Sequence, residues 1–221
     1  MGAWNPFTTW LDLLFQSQCP LCQRSSLSLL CQDCQKKLKA CQCHDRQERQ
    51  GELPVFAWGF YGGALRQSLR ALKYDNQSKL ARPLGQWLGQ AWLASPHATG
   101  RSLTVVPIPM HATKQKQRGF NQAELIARSF CQYTGLPLQS HGLIRLRQTE
   151  AQFGLSSAER EQNLINAFAL NPRWRDRRPP TVLLIDDIYT TGATARAAAA
   201  ALRQHQVIVD GLVAVAKSQK A

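Results

Sequence analysis

The chain has 221 residues, room for a domain of about 150–170 residues with a small appendage. With 44% hydrophobic and 19% charged residues, it is expected to build a packed core rather than remain disordered. Lys and Arg number 27 against 14 Asp and Glu, a net charge of +13. This excess points to polyanions: nucleic acid, phosphorylated substrates or an acidic membrane face. The longest apolar run, 197–202, falls far short of the roughly 20 residues of a membrane span. The first residues lack a basic leader and carry Asp12, unlike a secretory signal. The expectation is a cytoplasmic protein that is not integral to a membrane.

Residues 1–16 read as an amphipathic helix, with Phe7, Trp10, Leu11 and Leu14 at helical spacing. Lacking a basic face, this helix is expected to pack on the protein, and the alternative sets Trp4, Phe7 and Trp10 at the inner membrane surface. Six of the seven cysteines follow between Cys19 and Cys43. Cys19 and Cys22, then Cys31 and Cys34, form two C-x₂-C knuckles separated by eight residues. Four thiolates in that spacing can hold one tetrahedral Zn²⁺, a structural site that supplies folding energy to a short segment. Cys41, Cys43 and His44 read as part of a polar linker rather than as displaced ligands. The expected organisation is a helix over 1–16, a zinc module with linker over 17–50, and the main domain over 51–221.

From residue 53 strands and helices alternate, which predicts a mainly parallel α/β sheet flanked by helices. A strand over 55–61 precedes helices over 63–74 and 80–93. The strand 103–107 leads through a basic loop with Lys114, Lys116 and Arg118 to a helix capped by Asn121, with Glu124 placed as in a capping box. His111, within that loop, has no evident partner in the sequence. An arginine at a helix start makes this loop a second anion site. Residues 145–160 read as a mobile loop whose Arg145 and Arg147 could supply a catalytic cation. The segment 171–180 surrounds Trp174 with arginines, a composition that suits either single-strand binding or a plain turn. Cys131 is expected to be a buried apolar residue.

The most informative segment is 182–194, VLLIDDIYTTGAT. An apolar strand carries Asp186 and Asp187 at its end, where open α/β sheets bind ligands. The turn Thr190, Thr191, Gly192, Ala193 and Thr194 offers backbone N–H groups, hydroxyls and a helix N-terminus to a phosphate. Acids beside a phosphate cradle make sense as acceptors for a sugar diol attached to that phosphate, or as indirect holders of Mg²⁺, and the implied ligand is a phosphorylated ribose.

This segment resembles the PRPP motif of type I phosphoribosyltransferases. The resemblance implies ribose contacts from Asp186 and Asp187, a 5′-phosphate at 190–194, and Mg²⁺ entering with PRPP. A cysteine-knuckle module ahead of such a domain resembles the ComF family, linked to natural competence and DNA utilisation. Leu72-Lys73-Tyr74 matches its LKY, residues 106–109 its VPxP, and 118–122 its RGFNQ; Arg147, Thr149, Gln152, Arg160, Asn163, Ala167 and Phe168 follow its R-x-T-x-x-Q…R-x-x-N…AF pattern. The resemblance implies a type I phosphoribosyltransferase-like fold with a Cys₄ zinc module that handles incoming single-stranded DNA. Lys73, Arg118 and Gly119 would then hold pyrophosphate or DNA backbone, and a competence helicase or other uptake machinery would be a partner. The alternative is an active phosphoribosyltransferase with an unidentified acceptor.

Overall fold

The computed structural model describes residues 17–43, 47–50, 53–98, 102–147, 164, 166–177, 179 and 181–218. The helix read over 1–16, His44, and Thr149, Gln152, Arg160 and Asn163 lie outside these residues. Along the chain, β1 (Ser17–Gln18) and β2 (Ser25–Ser26) pair antiparallel and lead to α1 (Gln32–Lys39). Then come β3 (Gln47–Gln50), β4 (Leu53–Phe60), α2 (Gly63–Tyr74), a 3₁₀ turn (Ser78–Leu80), α3 (Ala81–Leu93), β5 (Thr104–Pro107), α4 (Ala112–Arg118) and α5 (Gln122–Thr134). The hairpin strands β6 (Leu143–Arg145) and β7 (Phe168–Leu170) precede β8 (Thr181–Tyr189), α6 (Ala193–Arg203) and β9 (Ile208–Lys217).

The central sheet has the order β3-β4-β9-β8-β5. Its β4–β9, β9–β8 and β8–β5 pairs are parallel, and β3 runs antiparallel on the edge. Both faces of the sheet are buried, which is why its strands read as unbroken apolar runs. Phe56, Trp58, Val105, Leu183, Ile185, Val213 and Val215 pack on one side with Leu65, Leu69 and Leu72 of α2, Leu84 and Leu88 of α3, and Ile126 and Phe130 of α5. Val55, Val106, Val182, Leu184, Leu212 and Ala214 pack on the other with Ala198, Ala199 and Leu202 of α6 and with Phe168.

Several local expectations need correction. The polar stretch 41–50 is no free linker: 47–50 forms β3 against β4, and Gln42 bridges Gly59. The Cys41 and Cys43 thiols donate to the carbonyls of Lys37 and Ala57, so this stretch is tied down from both ends. The basic loop before Asn121 contains α4, N-capped by His111, whose Nδ1 accepts from the Thr113 N–H. Asn121 does cap α5 by accepting from the Ala123 N–H, but Glu124 pairs with Arg128. Trp174 is only 4% exposed and its ring covers Gly142, where a Cβ would sit 2.7 Å from the indole. It is core, not a stacking platform. Finally, β8 continues through both acids, since Asp186 pairs with Ala214 and Tyr189 with Lys217.

Helices α3 and α5 cross where Gly85 sits. A Cβ there would lie 2.6 Å from the Ile126 carbonyl oxygen and 2.7 Å from the Ser129 Cβ, and the Ser129 hydroxyl donates to the Arg82 carbonyl across the same contact. Gly85→Val is expected to push the helices apart at a cost of about 1–3 kcal/mol, read as a lower urea midpoint with an unchanged m-value.

Candidate functional site

Three stretches distant in sequence meet at the end of β8. Helix α2 is amphipathic and buries Leu65, Leu69 and Leu72, so Lys73, in its last turn, reaches across to Asp187 and forms a largely buried ion pair. Gly119 ends α4 in the left-handed conformation, φ +83°, and the chain turns directly into α5. There Asn121 donates to the Ile108 carbonyl at 3.1 Å, locking the start of α5 to the chain after β5. This sets Gln122 inside the protein, where it donates to Asp187 Oδ1 at 3.4 Å and accepts from Arg118 at 2.5 Å. One relay therefore joins Arg118, Gln122, Asp187 and Lys73.

The two acids are not equivalent. Burial alone would lift both carboxyls. For Asp187 burial is outweighed by the Lys73 ammonium, which holds the carboxyl below its usual range. For Asp186 burial and the neighbouring Asp187 charge act together and push it well above that range. Asp186 accepts from the Asp187 N–H at 2.8 Å. Asp187 is thus the acid of the pair that ionises more readily, and Lys73 balances its charge. The same pairing raises Lys73 against the pull of its burial. Asp187 is itself only 4% exposed, so the buried part of β8 extends through it.

Lys73 and Arg118 also line a cleft of about 710 Å³ together with Tyr74, Lys114, Lys116 and Gly119. Its described lining carries four cations and no acid. Tyr74 is 65% exposed at the mouth, with the guanidiniums of Arg70 and Arg118 at 5.8 and 5.5 Å from its ring centroid. Burial first, then Arg145 and Arg118, lowers the Lys114 pKa, as expected where like charges crowd.

On the other side of the acids, β8 runs through Thr190 and Thr191 into α6. Gly192 takes φ +77° as the helix cap. A Cβ there would lie 2.7 Å from the Tyr189 hydroxyl and 2.9 Å from Arg196, so only glycine fits. Arg196 donates to the Thr191 carbonyl at 2.9 Å and braces the turn from the first coils of the helix. Thr191 Oγ1 accepts from the Ala193 N–H at 3.5 Å. Thr194 follows in α6, whose N-terminal N–H groups and dipole favour an anion.

Arg145 is not on a loop. It ends β6, pairs with Phe168 of β7 and lies over that ring at 5.3 Å. Burial lowers its pKa, and the Asp186 charge opposes this. Arg147 lies beyond the strand and is exposed. The sequence reading used Gln122 and Tyr74 only as motif letters and missed Arg196; the one signal for Arg196 is its place one turn inside the helix after TTG.

The knuckle cysteines converge as their spacing predicts: the Sγ atoms of Cys19, Cys22, Cys31 and Cys34 all lie within 4.8 Å of one another, and Cys22 and Cys31 are 3.6 Å apart. Tetrahedral zinc with bonds of about 2.3 Å needs sulfurs about 3.8 Å apart, so the set fits that ion. The Arg24 guanidinium, donating to Cys22 at 3.5 Å, lowers that thiol to about 6, while burial and the other three sulfurs push Cys34 far up. Four thiolates here need a cation. Cys41 and Cys43 stand outside the cluster. Cys131, buried and pushed up to about 12, is inert.

The fold is a mostly parallel α/β sheet in which strand β8, beside the central β9, carries an acid pair and leads into a glycine-capped turn, with a four-cysteine cluster in the N-terminal module. The chain is 29% identical over 184 residues to competence protein F of Haemophilus influenzae, covering 75% of this chain and 80% of that one. It is 32% identical over 125 residues to the DNA utilization protein YhgH of Salmonella typhimurium, covering 56% and 54%, and so spans about half the length of that relative. Competence protein ComFC of Bacillus subtilis matches at 25% identity over 185 residues, 83% and 70% of the two chains. Proteins named competence protein F, competence protein ComFC and DNA utilization protein YhgH are thus homologues of this chain. No family model matches. Among solved structures, adenine phosphoribosyltransferase of Leishmania donovani aligns with 12% identity, TM-score 0.41, over 76% of this chain and 73% of that one. Glutamine PRPP amidotransferase of B. subtilis aligns with 20% identity, TM-score 0.38, over 61% and 26%.

Two measurements test this geometry. Purified protein is expected to carry about one Zn²⁺ per chain, and chelation should expose the module to protease; a metal-free, protease-resistant module would contradict it. For the acids, Asp187→Asn leaves Lys73 buried without its charge partner and should cost about 3–5 kcal/mol. Asp186→Asn removes a carboxyl that resists ionisation and should stabilise the fold at neutral pH. The signs follow from linkage. The depressed Asp187 contributes stability present above the ordinary Asp range of about 4, and this is lost as pH falls through its lowered value. The raised Asp186 costs stability as pH rises above that ordinary range. Urea titrations across pH should show the acid-side loss vanish in Asp187→Asn, and the penalty that grows as pH rises above about 4 vanish in Asp186→Asn.

Proposed function

We propose that this protein handles single-stranded DNA in competence or DNA utilisation, with a phosphoribose-binding cradle beside its DNA track. The observation that carries this reading is the cationic cleft, because two of its lining residues, Lys73 and Arg118, are the ones wired to the acid pair. Phosphate oxygens replace counterions along Lys114, Lys116 and Arg118, and Tyr74 offers a ring face to a base. The printed names of the relatives, competence protein F and DNA utilization protein YhgH, support the same role.

In the cradle, the turn Thr190–Thr194 would take a terminal phosphate through backbone N–H groups and hydroxyls. Asp187, ionised, would accept from one ribose hydroxyl. Asp186, less buried than Asp187 and harder to ionise, would meet the other hydroxyl of the diol. PRPP would bring Mg²⁺ with its pyrophosphate, and the pyrophosphate would lie toward Arg118, Gly119 and Lys73. A second reading, phosphoribosyl transfer from PRPP to an unidentified acceptor, is favoured by this acid pair and turn in register. It would use Arg145 or Arg147 near the leaving group.

Fluorescence anisotropy with a labelled oligothymidylate tests the DNA reading. Contact with four to six phosphates predicts a slope of log K against log salt of roughly −3 to −4. Lys114→Ala combined with Lys116→Ala should lower the slope's magnitude by about 1.4 and leave PRPP binding unchanged. Arg118→Ala should weaken both ligands. No binding at low salt would sink the DNA reading, and turnover of PRPP with a nucleobase would put the enzyme reading in its place.

A further inference from the structure

The cysteine module and the main domain meet at a second depression, of about 320 Å³, remote in sequence from the residues of the cradle and the cationic cleft. Its floor is Trp58, 2% exposed on β4, and Ala91 of α3. Trp87 of α3 stacks on Trp58 with centroids 5.6 Å apart and an interplanar angle of 15°, but is itself half-buried and lines the opening. The rim carries the amides of Gln42 and Gln90 and the ammonium of Lys39.

A tryptophan of the core has no need of a polar rim, and a solvated rim has no need of two stacked indoles. The combination has three parts. The indole backed by a second indole is a rigid, pre-positioned platform, so a planar ligand stacking on it loses little entropy to order it. The carboxamides of Gln42 and Gln90 can each donate and accept, matching the edge of a nucleobase. Lys39 ends α1, whose last turn also carries Lys36 and Lys37, all three exposed. The described residues lining the depression include no acid. Stacking face, adaptable amides and a cationic flank are the ingredients of sequence-tolerant single-strand recognition.

We propose that this depression is a nucleobase subsite for single-stranded DNA. Trp87 stacks on one base, Gln42 and Gln90 contact its edge, and Lys39 with Lys36 and Lys37 takes the adjoining phosphates. The proposal rests on the DNA-handling reading and adds a place where bases, rather than phosphates alone, are held. It also gives the four-cysteine module a part in binding, because α1 is ordered by Cys31 and Cys34 at its own N-terminal end. An aromatic side chain of a partner protein is the competing occupant.

The test uses the full, zinc-loaded chain and two probes of equal length: an oligothymidylate 20-mer and an abasic 20-mer with the same phosphates. The wild-type protein should bind the thymidylate more tightly than the abasic strand. Trp87→Ala should weaken thymidylate binding about tenfold and leave abasic binding unchanged; Trp87→Phe, which keeps a ring against Trp58, should restore most of the difference. Lys39→Ala, at an exposed position, should flatten the salt slope by about 0.7 for both probes. A thymidylate carrying 5-iodouracil should crosslink on irradiation to the peptide containing Trp87. Equal binding of the two probes by the wild type overturns the subsite, as does an unchanged thymidylate affinity in Trp87→Ala together with an unchanged slope in Lys39→Ala; the DNA reading survives both results. Failure of both probes to bind at low salt removes the DNA reading and the subsite together.

Discussion

The ion pair between Lys73 and Asp187 fixes the layout of the site, because neither partner is tolerable inside the protein alone. Withdrawing a carboxylate or an ammonium from water costs several kcal/mol, and only a close, well-hydrogen-bonded counter-charge offsets it. Helix α2 must therefore stop where Lys73 can reach β8, and α5 must start where Gln122 can satisfy the remaining oxygen. With Asp187 committed in this way, the adjoining Asp186 is harder to ionise, and the two carboxyls are unequal. The site is asymmetric before any ligand arrives.

The same helix α2 links the site to the cysteine module. Cys19, Leu30 and Leu38 of the module share a core with Leu65 and Leu69 of α2, and Gln67 donates to the Leu21 carbonyl at 2.9 Å. The module is thus packed on the helix whose last turn carries Lys73 and Tyr74. A cation that orders four thiolates would order one wall of the cationic cleft through this shared packing, with no direct contact to it.

Much of this was legible in the sequence, and the exceptions have physical causes. The parallel sheet followed from apolar strands alternating with helices, and the four-cysteine cluster from the spacing of its knuckles. The turn into α6 was visible because a glycine among threonines directly after a buried strand marks a left-handed helix cap. Trp174 was misjudged because composition reports which residues are near in sequence, while its ring is claimed by Gly142 across the β6–β7 hairpin. The burial of Asp187 was missed because a strand's apolar letters end at Ile185, whereas its pairing to β9 continues to Tyr189. Arg145 reads as a loop cation, and only the three-residue pairing with β7 makes it a strand residue. The relay through Gln122 needs three segments in space, which no local pattern encodes.

The strand order has a consequence for how the molecule is made. β9 follows both of its neighbours in the chain, yet it sits between β4 and β8 in the sheet. Until it is synthesised, β4 and β8 each expose an unpaired edge and their most apolar residues, and the ends that carry the site have no fixed separation. Non-local parallel pairing is slow because loop closure must precede any gain. Nascent chains of this architecture therefore spend their time on the ribosome with open, adhesive strands, and folding is completed only after translation has passed residue 217. Such chains depend more than most on holdase chaperones, and growth temperature should govern their yield more strongly than the stability of the finished fold would indicate.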